Sequence, residues 1–155
     1  MATVLLAVLP GCSGDNDEPV CEPLVENGIQ ATMLEKPFTP KCGVAFPGQG
    51  SFSGGMEIQI STAVVECGSQ IFGRGGWLAG KHIRMSVPTR EPGTHDITSQ
   101  FVFLDAQTTK HMNLEIPLEQ TLVIDSVDAD TVRGSVDLRA YYATATGTFA
   151  VKHCF

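Results

Sequence analysis

A chain of 155 residues carrying 17 acidic against 10 basic side chains, for a formal charge of −7, is long enough to form one domain with a real core. The acidic balance and the absence of any Lys/Arg cluster argue against a nucleic-acid partner, since phosphate binding needs a basic stripe. Its 16 glycines, frequent Thr, Ser and Val, and lack of Ala/Leu/Glu/Lys blocks point to β structure.

Thr3 to Cys12 reads TVLLAVLPGC, an apolar run closed by a small residue and a cysteine, and Ser13 to Pro19 is at once polar and acidic. Leu9-Pro10-Gly11-Cys12 resembles the lipobox that ends the signal peptide of bacterial lipoproteins. The resemblance implies that residues 1–11 are a signal peptide that is removed. It implies too that the Cys12 thiol receives a diacylglyceryl group and that the new amine is acylated with a further fatty chain such as palmitate. Such chains contribute about 0.8 kcal/mol per buried CH₂, so the membrane would be a partner through the lipid on Cys12. In that family Ser rather than Asp after the lipidated Cys goes with the outer membrane, and Ser13 fits that rule. Residues 12–20 then form the lipidated N-terminus and a flexible tether, and residues 21–155 a single β-rich domain. The resemblance covers these dozen residues and carries no fold or activity beyond them.

With Cys12 used for lipid, Cys21, Cys42, Cys67 and Cys154 remain. An even number in an exported chain implies two disulfides. Three connectivities are open. Cys21–Cys42 with Cys67–Cys154 is preferred, because the first would staple the N-terminal arm and the second would tie the C-terminus to the middle of the fold. No C-x-x-C and no His at ligand spacing favour zinc instead.

Further along, a helical turn is expected before a strand at Ile29–Leu34, and Pro37 and Pro40 predict an extended loop up to Cys42. Met56, Ile58 and Ile60 alternate with Glu57, Gln59 and Ser61, a half-buried strand; Ile83, Met85 and Val87 alternate with His82, Arg84 and Ser86. Phe101–Leu104 reads as a strand buried on both faces, and Ala106–Lys110 as a hairpin loop back into Met112, Leu114 and Ile116. Leu122–Val127, Val132–Ala140 and Thr146–Cys154 follow. Val132–Leu138 and Thr146–Val151 echo each other as Gly, Ser/Thr, apolar, and fit a hairpin at the end of an antiparallel sheet. This ending loosely resembles many bacterial surface lipoproteins. About eight short strands predict an all-β, antiparallel β-sandwich, with a small β-barrel as the alternative.

Chemical motifs are sparse. There is no G-x-S-x-G, no H-E-x-x-H and no phosphate loop, so no enzyme, cofactor or metal is expected. His82 and His111 would bind a metal only if they met across neighbouring strands; exposed strand-end histidines are the expectation. Asp125, Asp128 and Asp130 lack the Gly and Glu of a calcium loop and read as a solvated turn. Trp77, Tyr141 and Tyr142 are the only Trp and Tyr residues, and exposed rings of this kind stack on sugars. Trp77, in the loop Phe72-Gly73-Arg74-Gly75-Gly76-Trp77, is the candidate ligand contact. The expected function is a lipid-anchored, non-enzymatic envelope protein with a structural or recognition role, its partner another envelope protein or polymer. The alternative is a carbohydrate or small-molecule binding module built around Trp77.

Overall fold

Period-two alternation becomes strand almost wherever the sequence carries it. The computed structural model describes residues 28–65, 67, 80–104 and 111–155. Among these the chain forms β1 (Gln30–Met33), β2 (Lys36–Phe38), β3 (Cys42–Pro47), β4 (Met56–Ser61), β5 (Gly80–Val87) and β6 (Gly93–His95). It continues with β7 (Thr98–Leu104), β8 (His111–Glu115), β9 (Glu119–Val127), β10 (Thr131–Arg139) and β11 (Ala143–His153). A 3-10 turn at Gly50–Phe52 is the one helical element among the described residues. The fold is all-β, and these eleven strands join in one sheet.

Along its main path the sheet runs β6-β9-β10-β11-β3-β4-β5-β7-β8. The longest strand, β11, organises it. One edge of β11 pairs with β10 from Thr131↔Lys152 to Arg139↔Thr144. The other edge is shared: β1 pairs antiparallel with its first half, from Gln30↔Thr146 to Met33↔Ala143, and β3 runs parallel to its end at Lys152↔Val44 and His153↔Ala45. The expected hairpin of echoing segments is therefore present as β10–β11, but it lies in the middle of the sheet rather than at its end. The expected antiparallel pattern is broken only at the short β11–β3 contact among the described pairings.

The sheet curls so that both of its arms bury side chains in one core. Ile58, Ile60, Ile83 and Phe101 from the β4–β5–β7 arm join Leu122, Ile124, Leu138 and Phe149 from the β9–β10–β11 arm. The result is a half-barrel, compatible with both the sandwich and the barrel expectation. A smaller cluster of Val44, Val65 and Val102 lies on the opposite face of the first arm, with Phe46 and Cys154 packed against it.

Three strands exceed the expected set. β2 carries Pro37, which cannot donate to a ladder, and it sits accordingly at an edge, paired with β1. β3 reads CGVAFP, without a clean alternation, and β6 has three residues. Conversely, β4 departs from the half-buried expectation, because all six of its residues are buried. Apolar Met56, Ile58 and Ile60 face the main core, and the polar side chains between them are covered as well. Phe101 and Val102 are both buried, as a strand covered on two sides requires.

Candidate functional site

The outer face of the β1–β11–β10–β9 arm is built by simple parity. Side chains two apart share a face, and antiparallel partners share it too. Ala143, Ala145 and Leu138 point into the core, so Thr144, Thr146 and Asp137, Arg139 point outward. Register then sets Thr32 against Thr144 on β1, and Glu119 against Arg139 on β9. The outcome is a polar ladder across four strands, open to solvent.

The ladder is internally bonded. Thr32 Oγ1 and Thr144 Oγ1 share a hydrogen bond of 2.8 Å. Arg139 grips Asp137 with two donors, Nε to Oδ1 at 3.2 Å and Nη2 to Oδ2 at 3.1 Å. Its guanidinium is held above its ordinary range by the hydrogen bond to Asp137, then by the charges of Asp137 and Glu119. The sign follows directly. A raised folded-state value adds stability that is present below the ordinary range and lost only as pH rises through the raised value, so Arg139 stays cationic across the neutral range. With both partners about half exposed, such a pair fixes geometry more than it adds stability.

One end of this ladder is an apolar, aromatic lip. The β10–β11 turn carries Tyr141, 82% exposed, and Tyr142, 56% exposed, with ring centroids 6.4 Å apart and planes tilted by 41°. Two other connections close beside it. The Leu34 amide in the β1–β2 turn donates to the Tyr142 carbonyl at 2.6 Å, and the Leu118 amide in the β8–β9 connection donates to the Arg139 carbonyl at 2.8 Å. Leu34, Ile116 and Leu118 are exposed at this same end. The chain thus gathers most of its exposed large apolar side chains, among the described residues, at three adjacent turns.

A second polar cluster is buried instead. On the face of β4 opposite the main core, Glu57 accepts from Gln59 Nε2 at 2.6 Å and pairs with Arg84 on β5. Ser61 accepts from the Ala63 amide at 2.8 Å, and His82 lies opposite Ser61, fully buried. Partners such as these allow a carboxylate to be buried, since an unpaired charge there costs several kcal/mol. Ser61 and His82 face each other in the β4–β5 register within this buried set, which joins the two strands and reads as scaffold.

The sequence candidates fare unevenly. Cys12, Cys21 and Trp77 lie outside the described residues, as does the loop at Ala106–Lys110. Cys67 and Cys154 are bonded, the pairing preferred from sequence, with Cα atoms 5.3 Å apart. Cys42 is buried and disulfide-bonded, and its preferred partner Cys21 is among the residues not described. The expectation of exposed strand-end histidines fails at His82, which is buried in mid-sheet. Nor are His82 and His111 on neighbouring strands: β7 runs between β5 and β8, with His82 opposite Val102 and His111 opposite Leu104. Asp128 and Asp130 occupy the β9–β10 turn, where the Asp128 amide donates to the Thr131 carbonyl at 2.8 Å. All three aspartates are exposed, as a solvated turn requires. Among the described residues no three His, Cys, Asp or Glu side chains come together to hold a metal.

The aromatic lip is the feature that sequence reasoning underweighted. Its signal is Arg139-Ala140-Tyr141-Tyr142-Ala143-Thr144, adjacent tyrosines at a turn between alternating runs. Comparison with family models, curated proteins and solved structures finds no match to this chain.

Proposed function

We propose that this chain is a lipid-anchored recognition module of the bacterial cell envelope, non-enzymatic and held at the outer membrane through Cys12. The observation that carries the recognition role is the solvent-facing lip of Tyr141, Tyr142, Leu118, Ile116 and Leu34. Exposed aromatic side chains concentrated at one end are costly to leave in water, and such concentrations mark interaction sites. The Cys67–Cys154 bond fits an oxidising compartment, where disulfides form and persist. The bonded state of Cys42 supports the same reading.

The anchor is tested by growing cells with a clickable palmitate analogue and fractionating their envelopes. Wild-type chain should carry label and sediment with the outer membrane, and Cys12→Ser should lose both. An unlabelled wild-type chain in the soluble fraction would sink the anchored reading.

A further inference from the structure

We infer that the outer face of β1, β11, β10 and β9, together with the tyrosine lip, is a binding site for a neutral polysaccharide chain. The inference rests on the recognition reading above and names its ligand class.

Sugars present two chemistries at once: axial C–H faces that pack on aromatic rings, and a fringe of hydroxyls that both donate and accept. This face offers both in one place. Tyr141 and Tyr142 give two adjacent rings, 6.4 Å between centroids, a separation suited to consecutive residues of a chain polymer. Their planes are tilted by 41°, so the two rings offer differently angled faces rather than one flat aromatic surface. Tyrosine loses little side-chain freedom on stacking, because only two torsions are fixed.

Beyond the rings runs the ladder of hydroxyls and planar polar groups. The Thr32 and Thr144 hydroxyls, bonded to each other, keep lone pairs and can turn a proton outward. Asp137 and Arg139 hold each other rigid, so a carboxylate acceptor and a guanidinium donor are presented without further ordering cost. Glu119 adds a second acceptor opposite Arg139. Two acids, Asp137 and Glu119, stand here against one base, Arg139, in a chain whose formal charge is −7. At the lip end of this face the guanidinium of Arg139 is already held by Asp137, so a neutral polyhydroxylated partner meets no repulsion there while an anionic one meets two carboxylates. The exposed cations Arg133 and Lys152 lie at the opposite end of β10 and β11. Thr146, exposed beside Asp137 in the register, extends the polar strip away from the lip and gives the polymer a direction along β11.

The test is calorimetric titration of the full chain with cello-, xylo-, manno- and chito-hexaose, alongside sedimentation with phosphatidylcholine vesicles. Binding to at least one hexasaccharide is expected. Tyr142→Ala and Tyr141→Ala should each weaken it tenfold or more, Tyr142→Phe should retain it within threefold, and Arg139→Met should weaken it at unchanged melting temperature. Gln49→Ala, exposed in the β3–β4 connection on the other arm of the sheet, is the control that should change nothing. No binding across the panel, or binding indifferent to both tyrosines, overturns the proposal. Vesicle binding that depends on the tyrosines, with no hexasaccharide bound, overturns it too and gives the lip to lipid. Palmitate labelling of Cys12 reads the anchor independently, so failure here leaves that result standing.

Discussion

Leu34 and Glu35 both adopt the left-handed region, with φ of 53° and 61°, and they are the only non-glycine residues among those described to do so. Two such residues between paired strands make the turn whose twist suits a hairpin, a place normally held by Asn-Gly because side chains resist that conformation. Each costs of order 1 kcal/mol or more, and persists because its surroundings over-determine it. Here Met33 is buried against the core, and the Leu34 amide is held by the Tyr142 carbonyl, so the strain is spent holding this turn beside the aromatic lip. Replacing the pair with Leu34→Asn and Glu35→Gly should raise stability by about 1 kcal/mol, after the greater freedom of glycine in the unfolded chain is subtracted. Urea unfolding checks this, and an unchanged midpoint would show the native turn unstrained. The turn was illegible in the sequence because neither residue announces it. By contrast the Asp128–Thr131 turn was legible, since Asp is at home there.

At the scale of elements, β10 and β11 show how much an echo in sequence can mean. Gly134 and Gly147 occupy related places in the two strands, but they serve different ends. Gly147, at φ of 134°, lets the chain entering β1 pass close: a Cβ there would sit 2.8 Å from the Gly28 carbonyl oxygen. Gly134 sits at a bulge where the register to β9 shifts, and its missing side chain makes room for the Phe149 ring, directly opposite on β11. A Cβ at Gly134 would meet the Phe149 ring edge at 2.9 Å and run into the Val123 carbonyl. Because backbone cannot yield as a flexible side chain can, Gly134→Ala should cost about 2–3 kcal/mol, an overpacking penalty. Ser135→Ala, one position along, should stay within about 0.5 kcal/mol in the same denaturation series. Equal effects at the two sites would remove the packing account. Long alternating strands such as β5, β9 and β10 could be read in advance, because one buried face imposes the period. β3 could not, because Gly43 and Pro47 interrupt its pattern. The polar face of β4 was misread as solvent-facing for a related reason: alternation tells which residues share a side, but not whether that side is covered.

Across the whole molecule, the tie that no local pattern could fix is the disulfide between Cys67 and Cys154, residues 87 apart in sequence. Cysteine spacing left three pairings open, and only the path of the sheet decides between them. β11 must run its full length from the tyrosine lip to lie beside β3, and the Cys154 amide then donates to the Ala45 carbonyl at 2.8 Å. That geometry carries Cys154 to the small cluster of Val44, Val65 and Val102, the chain's second apolar face. β11 meets β3 there through only two paired residues, a slender join between the two arms of the curled sheet. A crosslink at this point restricts the unfolded chain and also clamps the join. In the loop-entropy picture a closure of this length contributes about 4–5 kcal/mol. The double variant Cys67→Ala/Cys154→Ala should therefore lose about 4 kcal/mol in chemical denaturation. Amide hydrogen exchange in it should rise first at Lys152–Cys154 and in β3, while β10 pairing with the first half of β11 keeps its protection. Uniform acceleration along β11 would mean that the arms unfold as one unit and that the disulfide acts on the unfolded chain alone. Selective loss would mean that the join is the weak seam of the fold, and that the tyrosine end, on the other half of β11, is held in place without it.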